Sequence, residues 1–74
     1  MSVNKEKLAK NIGRHIERKL QELNMTQKEL ATRTNMTEAG ISRYISGQRL
    51  PRIDILLNIA DALNCTIDYI LFGV

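Results

Sequence analysis

Three near-identical triplets, Asn24-Met25-Thr26, Asn35-Met36-Thr37 and Asn64-Cys65-Thr66, constrain the fold of this 74-residue chain more than any other feature of it. Asn tolerates the left-handed conformation in which helices commonly end, and Thr is a strong helix N-cap, so each triplet can stop one helix and start the next. The spelling Asn-x-Thr is also that of an N-glycosylation acceptor. However, Met1 to Leu8 holds no apolar stretch resembling a secretory signal. An internal repeat is the third option, but a solenoid needs at least about three stacked units of 20 or more residues. Helix punctuation is the reading that fits all three positions.

The segments between the triplets agree. From Lys5 to Leu23 the apolar residues Leu8, Ile12, Ile16, Leu20 and Leu23 recur every three or four positions, which predicts a first helix capped by Asn4. Thr26 opens a second helix of about eight residues, with Glu29 completing a capping box and Leu30 stapling back onto Met25. Thr37 opens a third, Glu38 to Ser46, in which Ile41 staples to Met36, Gly40 stands where the box would need Glu, and Gly47 terminates the helix. After the loop Gln48-Arg49-Leu50-Pro51, a fourth helix over Ile53 to Leu63 is expected to turn Ile53, Leu56, Leu57, Ile59, Ala60 and Leu63 toward a core. A short fifth helix follows Thr66 and runs through Leu71. The fold class is therefore all-α, a compact five-helix bundle, with residues 1–74 as one domain. Gly13 costs its helix roughly 1 kcal/mol relative to Ala, and either marks a close approach or has no role.

Composition narrows the function. Only Tyr44, Tyr69 and Phe72 are aromatic, so the core must be aliphatic, and a chain this short has no room for a cleft between two lobes. No Ser/Cys/His/Asp constellation, phosphate loop or metal-ligand set is present, so neither an enzyme nor a cofactor is expected. No small-molecule ligand is evident. The lone Cys65 forms no intramolecular disulfide and reads as a small buried apolar residue. His15, alone beside the first helix's apolar stripe, reads as a surface or boundary residue. No uncharged run exceeds six residues, Ile55 to Ala60 among them, which is far too short to cross a bilayer. No membrane contact and a cytoplasmic location are expected. All eleven Lys and Arg lie in residues 1–52 with five acids, whereas residues 53–74 carry three Asp and no base, a split of +6 against −3. Such polarity suits a polyanion-binding face, or a plain solvated basic surface.

The second and third helices, joined by Asn35-Met36-Thr37, have the size of a helix-turn-helix. Ala31 is small where the helices would cross, Asn35 permits the left-handed turn, and Leu30, Met36, Ile41 and Tyr44 supply a shared apolar interior. With these residues in place, "TQKELA...NMTEAGISRYISGQRLP" followed by "LLNIADALNCTIDYIL" resembles the phage-repressor (Cro/C1, Xre-type) helix-turn-helix family over essentially the whole chain. The resemblance implies a lambda-repressor-like bundle that binds operator DNA, usually as a two-fold dimer on a pseudo-palindrome. The function expected is sequence-specific binding of double-stranded DNA by a transcriptional regulator, most simply a repressor.

By position, the resemblance assigns base reading to Thr37, Glu38, Ala39, Ser42 and Arg43 on the outward face of the third helix. It assigns phosphate contacts to Thr26 and Gln27 at the start of the second helix, where the helix dipole helps, and to Gln48, Arg49 and Arg52 after the third. Arg43 suits guanine, whose O6 and N7 a guanidinium can bind together, although a phosphate clamp or solvated charge uses the same residue type. Glu38 can accept from cytosine N4, or simply favour its own helix dipole. A homodimer is expected, with Ile67, Ile70, Leu71 and Phe72 either completing the core or forming the seam. Many relatives place an Arg–Glu ion pair at the positions of Leu20 and Ile45, here replaced by two apolar residues, a change that can be neutral or stabilising. Thr34, in a usually apolar place, and Arg52, where a Ser or Thr cap is common, are milder departures. The alternative function is a protein-interaction module, antitoxin-like or an adaptor, with DNA binding secondary.

Overall fold

The computed structural model describes residues 2–74. These form five helices and no strand: α1 Lys5–Leu23, α2 Gln27–Arg33, α3 Glu38–Ile45, α4 Ile53–Ala62 and α5 Ile67–Phe72. The helix boundaries expected from the sequence hold to within a residue or two, with Ser46 and Leu63 serving as C-caps of α3 and α4 rather than as helical residues.

Each triplet does what its chemistry dictates. Asn24, Asn35 and Asn64 all adopt positive φ, at 52°, 56° and 52°. The amide following each Asn reaches back five residues: Met25 N–H to the Leu20 carbonyl (2.9 Å), Met36 to Ala31 (2.8 Å) and Cys65 to Ala60 (3.0 Å). This is the Schellman closure, and it satisfies carbonyls that a helix end would otherwise leave unpaired. Gly47, at φ 78°, ends α3 in the same way, with the Gln48 amide bonded to the Arg43 carbonyl. Met25, Met36 and Cys65 then pack against the core. The hydroxyls of Thr26, Thr37 and Thr66 accept the amides of Glu29, Gly40 and Tyr69 at 3.0, 3.0 and 3.1 Å. Replacing Asn35 by Ala is therefore expected to cost about 1 kcal/mol, because an ordinary L-residue resists the left-handed region. The Asn35→Gly protein, which relieves that strain, should stay within about 0.5 kcal/mol of the parent on urea denaturation.

The core is aliphatic, built on Ile12, Ile16, Leu30, Ile41, Ile59, Leu63 and Ile70, all fully buried, with Tyr44 as its one buried aromatic. α1 is the spine, packing against α3 on one side and α5 on another, while α2 packs on α3 and α4 on α5. Two expectations for α4 fail. Ile53 and Leu57 are 62% and 54% exposed, because the inward arc of the helix is set by Leu56, Ile59, Ala60 and Leu63 at i, i+3, i+4 and i+7, and these two fall beside it. Leu23, the last residue of α1, is likewise exposed.

The role of Gly13 is now defined. A Cβ at this position would lie 2.7 Å from the Tyr44 carbonyl oxygen and would collide with the Ile45 carbonyl, so only glycine lets the end of α3 rest on α1. Ile45 thus meets α1 at Gly13, two turns before Leu20; Leu20 is buried and Ile45 packs against the core, and no charged or polar side chain is buried among the described residues. His15 is the boundary residue expected, but with a task. Its Nδ1–H donates to the Ile70 carbonyl at 2.9 Å, tying α1 to α5 across 55 residues of sequence. Burial pushes the Cys65 thiol up against the opposing pull of Lys19, which suits an apolar filler and not a reactive thiolate.

Candidate nucleic-acid interface

The α2–α3 pair forms one unit because its interior is dry. Leu30, Ala31, Ile41 and Tyr44 are buried, and Met36 in the turn packs against them as part of the same core. Thr34 fits despite its polarity, since its hydroxyl donates to the Leu30 carbonyl at 2.8 Å. With one side of α3 fixed inward, the opposite side is determined. At about 100° per residue, Glu38, Ser42, Ala39 and Arg43 fall in that order around an arc of roughly 140°. All four are exposed, as is Thr37 immediately before them. All five expected base-reading residues are therefore exposed, four of them on one arc of α3 and Thr37 at its N-cap. This convex helical ridge, with a carboxylate at one edge and a guanidinium at the other, is of a size to enter a groove of about 12 Å. Among the described residues, Arg43 and Glu38 take part in no ion pair.

The flanking residues are less uniform. Gln27 is half-buried at the first position of α2, and Gln48 and Arg49 are exposed in the segment leaving α3. The Thr26 hydroxyl is already engaged: it accepts the Glu29 amide at 3.0 Å and lies 3.3 Å from the Glu29 carboxylate, to which it donates. That capping box also sets a negative charge beside the start of α2, a feature of the site that the resemblance did not anticipate, although Glu29 itself is legible as a box residue. Arg52 is the N-cap of α4 and gives it no side-chain hydrogen bond. Instead its guanidinium reaches Asp54 at 3.6 Å with 79% of the side chain exposed, so it is free to swing toward another anion. Such an exposed pair contributes little.

α1 carries a basic stripe of its own. A surface depression of about 480 Å³ between α1 and α5 is rimmed by Lys7, Arg14 and Arg18, with Leu71 and Phe72 on its other wall. His15 lines it too, and lies about 200° around α1 from Gly13. Since Gly13 is where α3 rests, this depression opens on the side of α1 away from the α3 contact. Of the residues expected at a dimer seam, Ile70 is fully buried and must be reassigned to the core. Ile67 and Leu71 are half-buried against it, and only Phe72 is exposed. No helix among the described residues is long and apolar enough to cross a membrane.

A helix-turn-helix family profile matches residues 16–70. Among solved structures, the clp gene regulator ClgR from C. glutamicum superposes with a TM-score of 0.82 at 19% identity, over 86% of this chain and 83% of that one. The P22 c2 repressor protein, solved in complex with a synthetic operator, superposes with a TM-score of 0.79 at 27% identity, over 85% of this chain and 96% of that one. No curated protein matches the chain significantly.

Proposed function

The chain belongs to the Cro/C1-type helix-turn-helix family, and from that premise we propose that residues 1–74 act as one sequence-specific DNA-binding domain of a transcriptional regulator, most simply a repressor. α3 enters the major groove. Thr37, Glu38, Ala39, Ser42 and Arg43 meet base edges, while Gln27, Gln48 and Arg49 hold the flanking phosphates, with Arg52 as a further cation within the same connection. Two copies bind half-sites about one helical turn apart on a pseudo-palindromic operator. Of the solved structures it resembles, one is a gene regulator and another a repressor in complex with a synthetic operator.

The observation that carries this reading is the exposed arc of α3. Four polar or small residues stand together on a ridge whose opposite side is locked by Ile41 and Tyr44, with Thr37 exposed at the N-cap just before them. A helix so anchored can present side chains to base edges without ordering itself on binding, which is the rigidity that groove recognition requires. Thr26 contributes through the capping box that fixes the start of α2 and less as a phosphate donor, since its hydroxyl is engaged.

The test is selection of duplexes from a random library followed by fluorescence anisotropy across a salt series. Enrichment of a pseudo-palindromic sequence is expected, with log K falling linearly against log salt. For Arg49→Ala the slope should shrink by about one unit, the release of one phosphate contact, with similar weakening on selected and scrambled duplexes. If no sequence is enriched and binding is insensitive to salt, the chain is not a DNA reader, and the protein-interaction alternative takes its place.

A further inference from the structure

We propose that the depression between α1 and α5 is a docking site for an acidic peptide segment of another protein, one that carries a large apolar residue among its carboxylates. The depression opens away from the contact between α1 and α3, so the segment docks while α3 stands on DNA. That last clause alone rests on the DNA-binding reading. Three observations support the proposal.

The first is construction. At about 100° per residue, Lys7, Arg14 and Arg18 fall between about 100° and 140° around α1 from Gly13, while Leu8, Asn11 and His15 fall between about 160° and 220°. The three cations are exposed and the other three half-buried, so α1 supplies a charged wall and a floor. Leu71 and Phe72 form the facing wall. Two contacts fix that wall in place. His15 bonds the Ile70 carbonyl at 2.9 Å, and Gly73, at φ 76°, lies so close over the imidazole that a Cβ there would come within 2.8 Å of Nε2. The groove is therefore formed before a partner arrives, which lowers the ordering cost of binding.

The second is charge. Among the described residues Lys7, Arg14 and Arg18 enter no ion pair, and no carboxylate lines the depression. Arg14 is oriented by Asn11, whose Oδ1 accepts from its Nη2 at 2.6 Å, which leaves the other guanidinium N–H groups for a partner. The acids of α1 lie elsewhere: Glu6 and Glu17 fall within about 40° of Gly13, and Glu22 is paired with Lys19. The third is the apolar wall, which discriminates between anions. A duplex presents phosphates to such a groove but no side chain for Phe72, 64% exposed, to cover. An acidic peptide presents carboxylates to the guanidinium forks and an apolar group to the ring. Lys7 to Arg18 spans about 16 Å of helix, the length of one short segment and the scale of a weak, transient contact.

The experiment pans a displayed library of random peptides about twelve residues long, enough to cover that span in helical or extended form, against the immobilised chain. Enrichment of peptides with Asp or Glu around Leu, Phe or another large apolar residue is expected; no enrichment, or enrichment of peptides without acids, overturns the proposal. The tightest peptide, labelled with fluorescein, is then followed by anisotropy. The Arg14→Glu, Arg18→Glu protein should bind it at least roughly tenfold more weakly, and Phe72→Ser about fivefold more weakly. Lys28→Glu, Arg33→Glu, which changes the net charge equally on α2, should stay within about twofold of the parent. Equal losses for the two charge reversals overturn the site, as does unchanged binding by Phe72→Ser; Arg14→Gln, Arg18→Gln serves should the reversed protein not fold. Displacement of the peptide by oligothymidylate at a lower concentration than by unlabelled peptide would make the face a nucleic-acid surface. Self-association of the parent that Phe72→Ser abolishes would give the wall to a second copy, and either result overturns the proposal. A saturating selected duplex should leave peptide affinity within about twofold, and displacement overturns docking on DNA. If selection yields no duplex, the DNA-binding reading has failed, and the peptide measurements still decide the site.

Discussion

Gly13→Ala should destabilise the domain by about 2–3 kcal/mol, lowering the melting temperature by roughly 10–20 °C. On propensity alone the sign would be opposite, since Ala is favoured over Gly inside a helix by about 1 kcal/mol. What reverses it is the neighbour. The added methyl would overlap the Ile45 carbonyl and approach the Tyr44 carbonyl oxygen to 2.7 Å, and both are backbone atoms that no rotamer change can move. α1 and the end of α3 would have to separate, opening the core around Ile12, Ile16 and Ile41. Gly40→Ala supplies the control. There the new Cβ would meet the Thr37 hydroxyl at 3.1 Å and the Met36 methyl at 3.6 Å, both side-chain atoms able to yield, so its effect should stay within about 1 kcal/mol of zero. Equal, small effects of the two substitutions in thermal melts would mean that the contact between α1 and α3 is not rigid. Since α3 is the proposed reading helix, Gly13→Ala should also weaken DNA binding well below its melting temperature, because the displaced helix no longer fits the groove.

The sequence was most legible where the governing chemistry is local. A helix end needs a residue that accepts positive φ and a start needs a hydroxyl or amide side chain, and both requirements are met within three letters at Asn24, Asn35 and Asn64. The exposed arc of α3 was legible for a related reason: once Ile41 and Tyr44 are identified as inward, helix geometry leaves little freedom for Glu38, Ala39, Ser42 and Arg43. What escaped depended on which elements meet. Periodicity marks α4 as apolar on more than half of its circumference, but only the positions of the neighbouring helices decide that Leu56, Ile59 and Ala60 are covered while Ile53 and Leu57 are not. The His15 bond to Ile70 and the contact of Gly13 with α3 join segments far apart in sequence, and no local rule anticipates either. Thr26 shows a subtler limit. A hydroxyl at a helix start is equally suited to a phosphate or to a capping box, and it is the Glu29 carboxylate 3.3 Å away that occupies it.

Arg43→Ala is the substitution from which the largest loss of DNA discrimination is expected, and its pattern matters more than its size. Arg43 is exposed on the ridge of α3 and enters no ion pair among the described residues, so removing it exposes no buried charge and leaves no partner stranded. Stability should change by less than about 0.5 kcal/mol. If its guanidinium binds guanine O6 and N7 together, truncation should cost about 1–3 kcal/mol on the selected duplex, roughly 5- to 150-fold in affinity, and relax the preference at one base pair in each half-site. Binding to scrambled DNA should weaken far less. Arg43→Lys distinguishes charge from geometry, since an ammonium keeps the attraction to DNA but lacks the planar fork. It should retain scrambled-duplex affinity and recover only part of the specificity. The competing role predicts another pattern: a phosphate clamp at Arg43 would weaken selected and scrambled duplexes alike, reduce the salt slope by about one unit, and be largely restored by Lys. With one variant pair and two duplexes measured over a salt series, base reading and phosphate gripping by this residue separate, and equal losses on both duplexes would remove Arg43 from the reading face.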